Sequence, residues 1–290
     1  MQIGFVGLGV MGLPMVERLI KAGHKLSVNR VRQASQHLVD LGADSCDTPK
    51  TVARHADIVI LMVPDTPDVE AVLFGKHGVA EGLTPGKLVI DMSSISPVAT
   101  KQFAEKIASL GCDYLDAPVS GGEVGACNGT LSIMVGGTPA AFDRARPLFE
   151  TMGKNITLVG GVGDGQTAKV ANQIIVALSI AAVAEALTFA KRAGADPKAV
   201  RQALMGGFAS SRVLEVHGER MIERTFDPGF RMRLHRKDLS IAVSAARDLD
   251  LALPSTAITQ QLMNAAISSG DGDKDHSALI LTLERLAGLP

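Results

Sequence analysis

The run Ile3–Val6 leads without interruption into Gly7-Leu8-Gly9-Val10-Met11-Gly12, and no other feature of the sequence restricts the fold as much. A GxGxxG between a β-branched run and an amphipathic segment reads as a strand turning tightly into a helix. The first glycine permits the turn, the second leaves the backbone open to a diphosphate, and the third lets helix and strand approach closely. The context is complete, because a second candidate strand, Leu26–Asn29, ends about 20 residues further on. Gly7, Gly9, Val10, Met11 and Gly12 are therefore read as a dinucleotide-phosphate loop. A purely structural turn is the competing reading.

The alternation begun there continues to about residue 160. Candidate strands at Ile3–Val6, Leu26–Asn29, Ile58–Val63, Leu88–Asp91, Tyr114–Leu115, Ser132–Val135 and Thr157–Val159 are separated by amphipathic segments. That is the sequence form of a parallel sheet covered by helices on both faces, a doubly wound α/β domain of Rossmann type. The pattern stops at the glycine-rich stretch 160–166. Between Gln166 and Arg192 there is neither Gly nor Pro, which predicts a helix about 40 Å long. Shorter helices are predicted at Pro197–Met205, Val213–Glu223, Leu239–Leu249, Ser255–Ser268 and His276–Ala287. The expected organisation is a dinucleotide-binding domain over residues 1–163 and an all-helical substrate and oligomerisation domain over 164–290.

Composition narrows the partners. Lys plus Arg number 29 against 30 Asp plus Glu, so the net charge of −1 offers no field for nucleic acid or an anionic membrane. Aromatic residues at 3% leave little for base stacking. Three cysteines without CxxC spacing fit neither a disulfide framework nor a zinc site, and the histidines show no paired ligand spacing, so no metal is expected. The opening QIGFVGLG carries no basic flank or apolar signal core, and the apolar run Ile174–Ala184 falls short of a bilayer span. A cytoplasmic protein is expected. The apolar surface of the long helix and those after it exceeds what one small domain readily covers, so a homo-oligomer is expected too.

The second strand ends in Asn29-Arg30-Val31-Arg32, where a carboxylate would accept bonds from the ribose hydroxyls of NAD(H). A neutral amide followed by Arg30 and Arg32 instead favours a 2′-phosphate, hence NADP(H) over NAD(H). Simple solvation of both arginines is the alternative. Ser120-Gly121-Gly122 combines a hydroxyl with glycine-freed amides, a small cradle for a carboxylate, though on these residues alone a ligand-free turn is the simpler account. Lys169, Asn172 and Gln173 project from one face of the long helix near its N-terminus, where a positive charge is disfavoured and calls for compensation. In the charged run Arg231–Asp238, which otherwise reads as a solvated face, only Lys237 is singled out.

In order along the chain, GFVGLGVMG, IDMSSISP, LDAPVSGG, GTLSIMVGG, KVANQIIVALSIAAVAEAL and LHRKDL resemble the β-hydroxyacid dehydrogenase family over essentially the whole sequence. The resemblance implies that Lys169 is the catalytic residue, that Ser120, Gly121 and Gly122 hold a substrate carboxylate, and that Asn172 positions the substrate. It also implies that Val63, Pro64, Ser96 and Lys237 lie along the cofactor. The activity implied is NADP(H)-dependent reduction of a short carboxylate-bearing semialdehyde, tartronate semialdehyde to glycerate foremost. Hydroxyisobutyrate oxidation and the reduction of glyoxylate or succinic semialdehyde are the enzymatic alternatives. A noncatalytic dinucleotide sensor is the alternative of another class, opposed by the presence of Lys169, Ser120 and Asn172. The departure is Asn29, where the NAD-using reductases tend to carry Asp.

Overall fold

The computed structural model describes residues 1–289, which divide into two compact units, one ending at Lys169 and the other beginning at Val170. This division falls within the long helix, just beyond the glycine-rich break, because the first turn of that helix is hydrogen-bonded to the sheet of the first unit.

The strands of the first unit are β1 (Gln2–Val6), β2 (Lys25–Asn29), β3 (Asp44–Cys46), β4 (Ile58–Leu61), β5 (Leu88–Asp91), β6 (Asp113–Asp116), β7 (Val119–Ser120), β8 (Leu131–Gly136) and β9 (Gly153–Gly160). Between them run α1 (Gly12–Lys21), α2 (His37–Asp40), α3 (Pro49–His55), α4 (Thr66–Phe74), α5 (Pro97–Ala108), α6 (Gly122–Asn128) and α7 (Pro139–Met152). The sheet order is β3-β2-β1-β4-β5-β6-β8-β7, with β9 also paired to β8. β1 to β6 are mutually parallel, and the order reverses between β1 and β4, which opens a crevice at their carboxyl ends. The expected parallel sheet thus acquires a mixed margin: β8 runs antiparallel to both β6 and β7, because short connections return the chain beside itself.

Side-chain alternation explains why the sheet is covered twice. Ile58, Ile60, Leu88 and Ile90 enter one core with Met15, Leu19, Phe142 and Phe149 from α1 and α7. Val59, Leu61 and Val89 enter the other with Val52, Val69, Leu73 and Phe103 from α3, α4 and α5. All seven strand residues are essentially inaccessible, and each contributes about 1.5–3 kcal/mol of transfer free energy.

The long helix is α8 (Asp164–Arg192), followed by α9 (Pro197–Leu204), α10 (Arg212–Glu223), α11 (Met232–Asp248), α12 (Pro254–Ala266) and α13 (Leu279–Leu286). By length and composition alone α8 is apolar enough to cross a bilayer, with a mean hydropathy of 1.9 over its most apolar window. In the fold it is the core helix of the second unit: Ala177, Ile180, Ala184 and Leu187 pack with Met232, Leu239, Met263 and Leu279. α11 starts one full turn and more before the expected Leu239, so the charged run is helical. It is not a solvated face, since His235 and Asp238 are buried on its inner side.

Three histidines far apart in sequence converge in this unit. His235 Nε2 lies 3.2 Å from the Gln173 carbonyl oxygen, His276 Nδ1 lies 2.8 Å from His235 Nδ1, and His276 Nε2 lies 3.2 Å from His217 Nε2. Phe230 covers the inner two rings edge-on. Asp275 closes the outer end: it pairs with Arg220 at 2.8 Å, accepts from Gly229 and Phe230 backbone N–H groups and from Ser277, and lies 3.6 Å from His217 Nδ1. A carbonyl can only accept, so with neutral rings every proton in the row points toward Gln173. His217 Nδ1 is then left without a hydrogen, and it is buried with no hydrogen-bond partner.

Candidate active site

The first glycine turn stands at the carboxyl end of β1, beside that of β4. Gly7 has φ +111°, and a Cβ there would collide with the Met62 carbonyl just past β4. A Cβ on Gly12 would strike the Gly7 carbonyl, so helix α1 meets the strand at glycine distance. Gly9 differs, because nothing lies within 4 Å of where its Cβ would project. The N-terminus of α1 also receives no side-chain cap and has no acidic residue in its first turn. Uncapped amides beside open space fit a diphosphate.

At the end of β2, Asn29 is 2% exposed and donates from Nδ2 to the Cys46 carbonyl at 3.0 Å, tying β2 to β3. Its Oδ1 is buried without a partner. The amide nitrogen is therefore engaged by the sheet, and what Asn29 offers a ribose is an uncharged acceptor. Arg30 follows with φ +59°, a left-handed backbone uncommon for a side-chain-bearing residue, and both Arg30 and Arg32 are exposed. These features fit a dinucleotide whose ribose lies at the end of β2.

Two further segments border the crevice. The Val63 amide donates to Ser93 Oγ at 3.0 Å, joining the ends of β4 and β5, and Pro64 is exposed beside it. Ser96 caps α5 by accepting from Ala99 N–H, while its own amide donates to Thr66 Oγ1 at 3.1 Å. Ser120, the last residue of β7, is half-buried, and Gly121 and Gly122 after it both adopt positive φ, +129° and +60°. That pair of glycines bends the backbone at the point where a carboxylate cradle is expected.

Two carboxylates at the ends of β5 and β6 were not anticipated. Asp91 and Asp116 are register neighbours and fully buried. Asp91 accepts from the Ser93 amide at 2.9 Å and from the Tyr114 hydroxyl at 3.2 Å, and burial pushes its pKa up to about 7. Asp116 accepts from the Gly163 and Gln166 amides, both at 2.7 Å, and burial raises its pKa to about 6. Gln166 is buried as well, donating to the Ser93 carbonyl at 2.7 Å and accepting from the Ile95 amide at 3.1 Å. Lys169, buried, follows one turn later on α8.

In the second unit, Asn172 donates to Gln173 Oε1 at 2.7 Å, and Gln173 donates to Asp238, which pairs with Lys237 at 3.1 Å. The side chains expected to position substrate and to lie along the cofactor are thus connected through Gln173 and Asp238. Helical spacing groups Gln173 with Lys169 and Asn172, whereas nothing in the sequence links Asp238 to them. The structure does not bring Arg231 or Arg233 into this chain; they pair with Asp273.

A glycine turn at the reversal of a doubly wound sheet, with a lysine-bearing helix following the sheet, defines the class: a pyridine-nucleotide-dependent α/β oxidoreductase. Residues 2–161 match the model of the NAD-binding domain of 6-phosphogluconate dehydrogenase, and residues 163–283 match that of the NAD-binding region of NADP-dependent 3-hydroxyisobutyrate dehydrogenase. The chain is 60% identical to 2-hydroxy-3-oxopropionate reductase of Escherichia coli, covering 99% of this chain and 98% of that one. A solved Mycobacterium tuberculosis 3-hydroxyisobutyrate dehydrogenase with L-serine superimposes with a TM-score of 0.90 at 31% identity, over 97% and 98% of the two chains. Psf3 in complex with NADP+ and 2-OPP superimposes with a TM-score of 0.86 at 25% identity, over 97% and 99%. The chain belongs to the β-hydroxyacid dehydrogenase family, the relatives of 3-hydroxyisobutyrate dehydrogenase.

Proposed function

We propose that this chain is a cytoplasmic, NADPH-preferring reductase that converts tartronate semialdehyde, 2-hydroxy-3-oxopropionate, to glycerate. The observation that carries the reading is the 60% identity to the E. coli reductase of that substrate across nearly the full length of both chains. Residues 1–163 supply most of the cofactor site together with the carboxylate cradle, and residues from 164 onward supply the rest of the substrate side and self-association.

When bound, the reduced nicotinamide supplies a hydride to the aldehyde carbon. The chain's own groups manage the charge that develops. The Lys169 ammonium donates its proton to the carbonyl oxygen as that oxygen becomes an alkoxide, and in the reverse direction its amine accepts the hydroxyl proton. Ser120 and the amides freed by Gly121 and Gly122 hold the substrate carboxylate. Asn172, oriented by Gln173, fixes the substrate against rotation. Gly7, Gly9, Val10, Met11 and Gly12 hold the diphosphate, Arg30 and Arg32 the 2′-phosphate beside Asn29, while Val63, Pro64, Ser96 and Lys237 line the remainder. Self-association is supported by Ile175, Phe189 and Ile258, which are 66%, 75% and 64% exposed in the second unit.

Steady-state rates on two- to four-carbon semialdehydes with NADPH and NADH test substrate and cofactor together. Tartronate semialdehyde with NADPH is expected to give the highest kcat/KM, and a higher value for another semialdehyde reassigns the substrate. Lys169→Ala is expected to keep NADPH affinity and lose turnover by at least about a hundredfold, the size of a lost general acid. Near-normal turnover removes Lys169 from the reaction.

A further inference from the structure

We propose that Asp116 and Gln166 are positioning residues for Lys169, together forming a clamp that fixes the first turn of α8 on the sheet; the inference rests on the reading of Lys169 as the proton donor. The first amides of a helix have no partner within it and are ordinarily capped by the residue just before it. In α8 the cap comes from elsewhere in the fold. The two Asp116 oxygens, at the carboxyl end of β6, take the amides of Gly163 and Gln166, one each and both at 2.7 Å. Gln166 then secures the same turn to the segment after β5 through the Ser93 carbonyl and the Ile95 amide.

The approach of helix to sheet is too close for any side chain but hydrogen at two points. A Cβ at Gly165 would collide with the Met134 carbonyl and come within 2.8 Å of Asp116 Oδ2, and one at Gly136 would lie 2.5 Å from Asp116 Oδ1. The clamp therefore sets α8 in height by contact, and in rotation by two directional bonds to one carboxylate. Lys169 lies three residues beyond Gln166, on the turn built directly on the clamped one. The Asp116 carboxylate also puts negative charge at the N-terminus of α8, where the helix dipole favours it. Burial, and to a smaller degree the Asp164 charge, raise its pKa, a cost that the two short amide bonds reduce.

The sequence requirements are correspondingly narrow. Asparagine in place of Asp116 keeps one acceptor oxygen but presents an amide NH2, itself a donor, to the other backbone N–H, so one bond is lost and α8 is released at one point. A displacement of about 1 Å in a proton donor is enough to slow turnover about a hundredfold without altering substrate binding.

The test uses the full-length enzyme with NADPH and its substrate semialdehyde. For Asp116→Asn, kcat is expected to fall about a hundredfold, with KM and the NADPH dissociation constant within about twofold of the parent. The isotope effect measured with NADPH deuterated at the transferred position should rise, since the chemical step becomes limiting. Gln166→Ala, which leaves the backbone cap in place, should show the same signs in smaller degree and decides the matter if Asp116→Asn does not fold. A loss of kcat that tracks the folded fraction with an unchanged isotope effect overturns the proposal, as does a kcat within about threefold of the parent in Gln166→Ala and Asp116→Asn alike. Lys169→Ala separates the two readings. If it remains active, the assignment of Lys169 fails; if it is inactive while both clamp variants turn over normally, only the positioning role fails.

Discussion

On the proposed reading, Asn29, Arg30 and Arg32 divide ribose recognition between shape and charge. The sequence alone suggests that Asn29→Asp turns the enzyme toward NADH. The hydrogen bond from Asn29 Nδ2 to Cys46 complicates that change, because a carboxylate would set an oxygen against a carbonyl at a buried position. The exposed arginines are the cleaner levers. Replacing Arg30 and Arg32 together by Ala is expected to weaken NADPH by about tenfold or more while leaving NADH nearly unchanged, as measured by fluorescence titration of both. Equal weakening of the two cofactors would mean that these guanidinium groups do not meet the 2′-phosphate. The sequence presents the glycine turn, Asn29 and the arginines as candidates by residue type at a fixed distance from a strand. The hydrogen bond to Cys46 is not legible there, because it depends on β3, which pattern analysis does not find.

At the scale of elements, the strands that were missed share a physical cause. β3 is Asp44-Ser45-Cys46, a short edge strand with two exposed polar residues, and β7 is two residues long, so neither shows the alternation or the apolar run of a buried strand. β4, β5 and α8 were legible because burial on most sides leaves an uninterrupted apolar signature. The beginning of α11 was obscured by Arg231–Asp238, whose charges mask the fact that His235 and Asp238 fall on one inward face. Likewise, Asp116 sits inside a motif that the sequence presents as a loop for substrate, with no local sign that it caps a helix that starts 48 positions later at Asp164. Gly165→Ala tests the packing at this juncture. The added methyl meets the Met134 and Asp116 carbonyls and the Asp116 carboxylate, so a loss of about 1–3 kcal/mol in denaturant unfolding is expected. A Gly→Ala change that stabilised the protein, as one does in an open helix, would contradict the close approach.

For the molecule as a whole, the two units respond to pH in opposite senses. Asp91 and Asp116 have pKa values of about 7 and about 6 when folded, above the ordinary 3.8, so the folded chain keeps protons that the unfolded chain releases. Their contribution favours folding fully below about pH 4 and is lost as the pH rises toward 7. In the second unit, burial and the neighbouring rings hold His276 well below the ordinary 6.5, so the unfolded chain takes up a proton there that the folded chain refuses. Folding of that unit weakens as the pH falls through about 6.5. Asp275, held far below the ordinary carboxylate range by the hydrogen bonds it accepts from the Ser277 hydroxyl and amide, adds stability above about pH 4 that is lost under stronger acid. Amide hydrogen exchange, corrected for intrinsic rates, should therefore show greater protection of β4 to β6 at pH 5 than at pH 8, and the reverse for α10 and α11. Parallel changes in both units would refute this assignment. The histidine row has a consequence of its own. The hydrogens between His217, His276 and His235 are each gripped by two ring nitrogens, and the inner rings are sealed from water, so they can swap with solvent only when the second unit opens. Their far-downfield proton resonances are a native clock for that opening, readable without tag, dye or mutation.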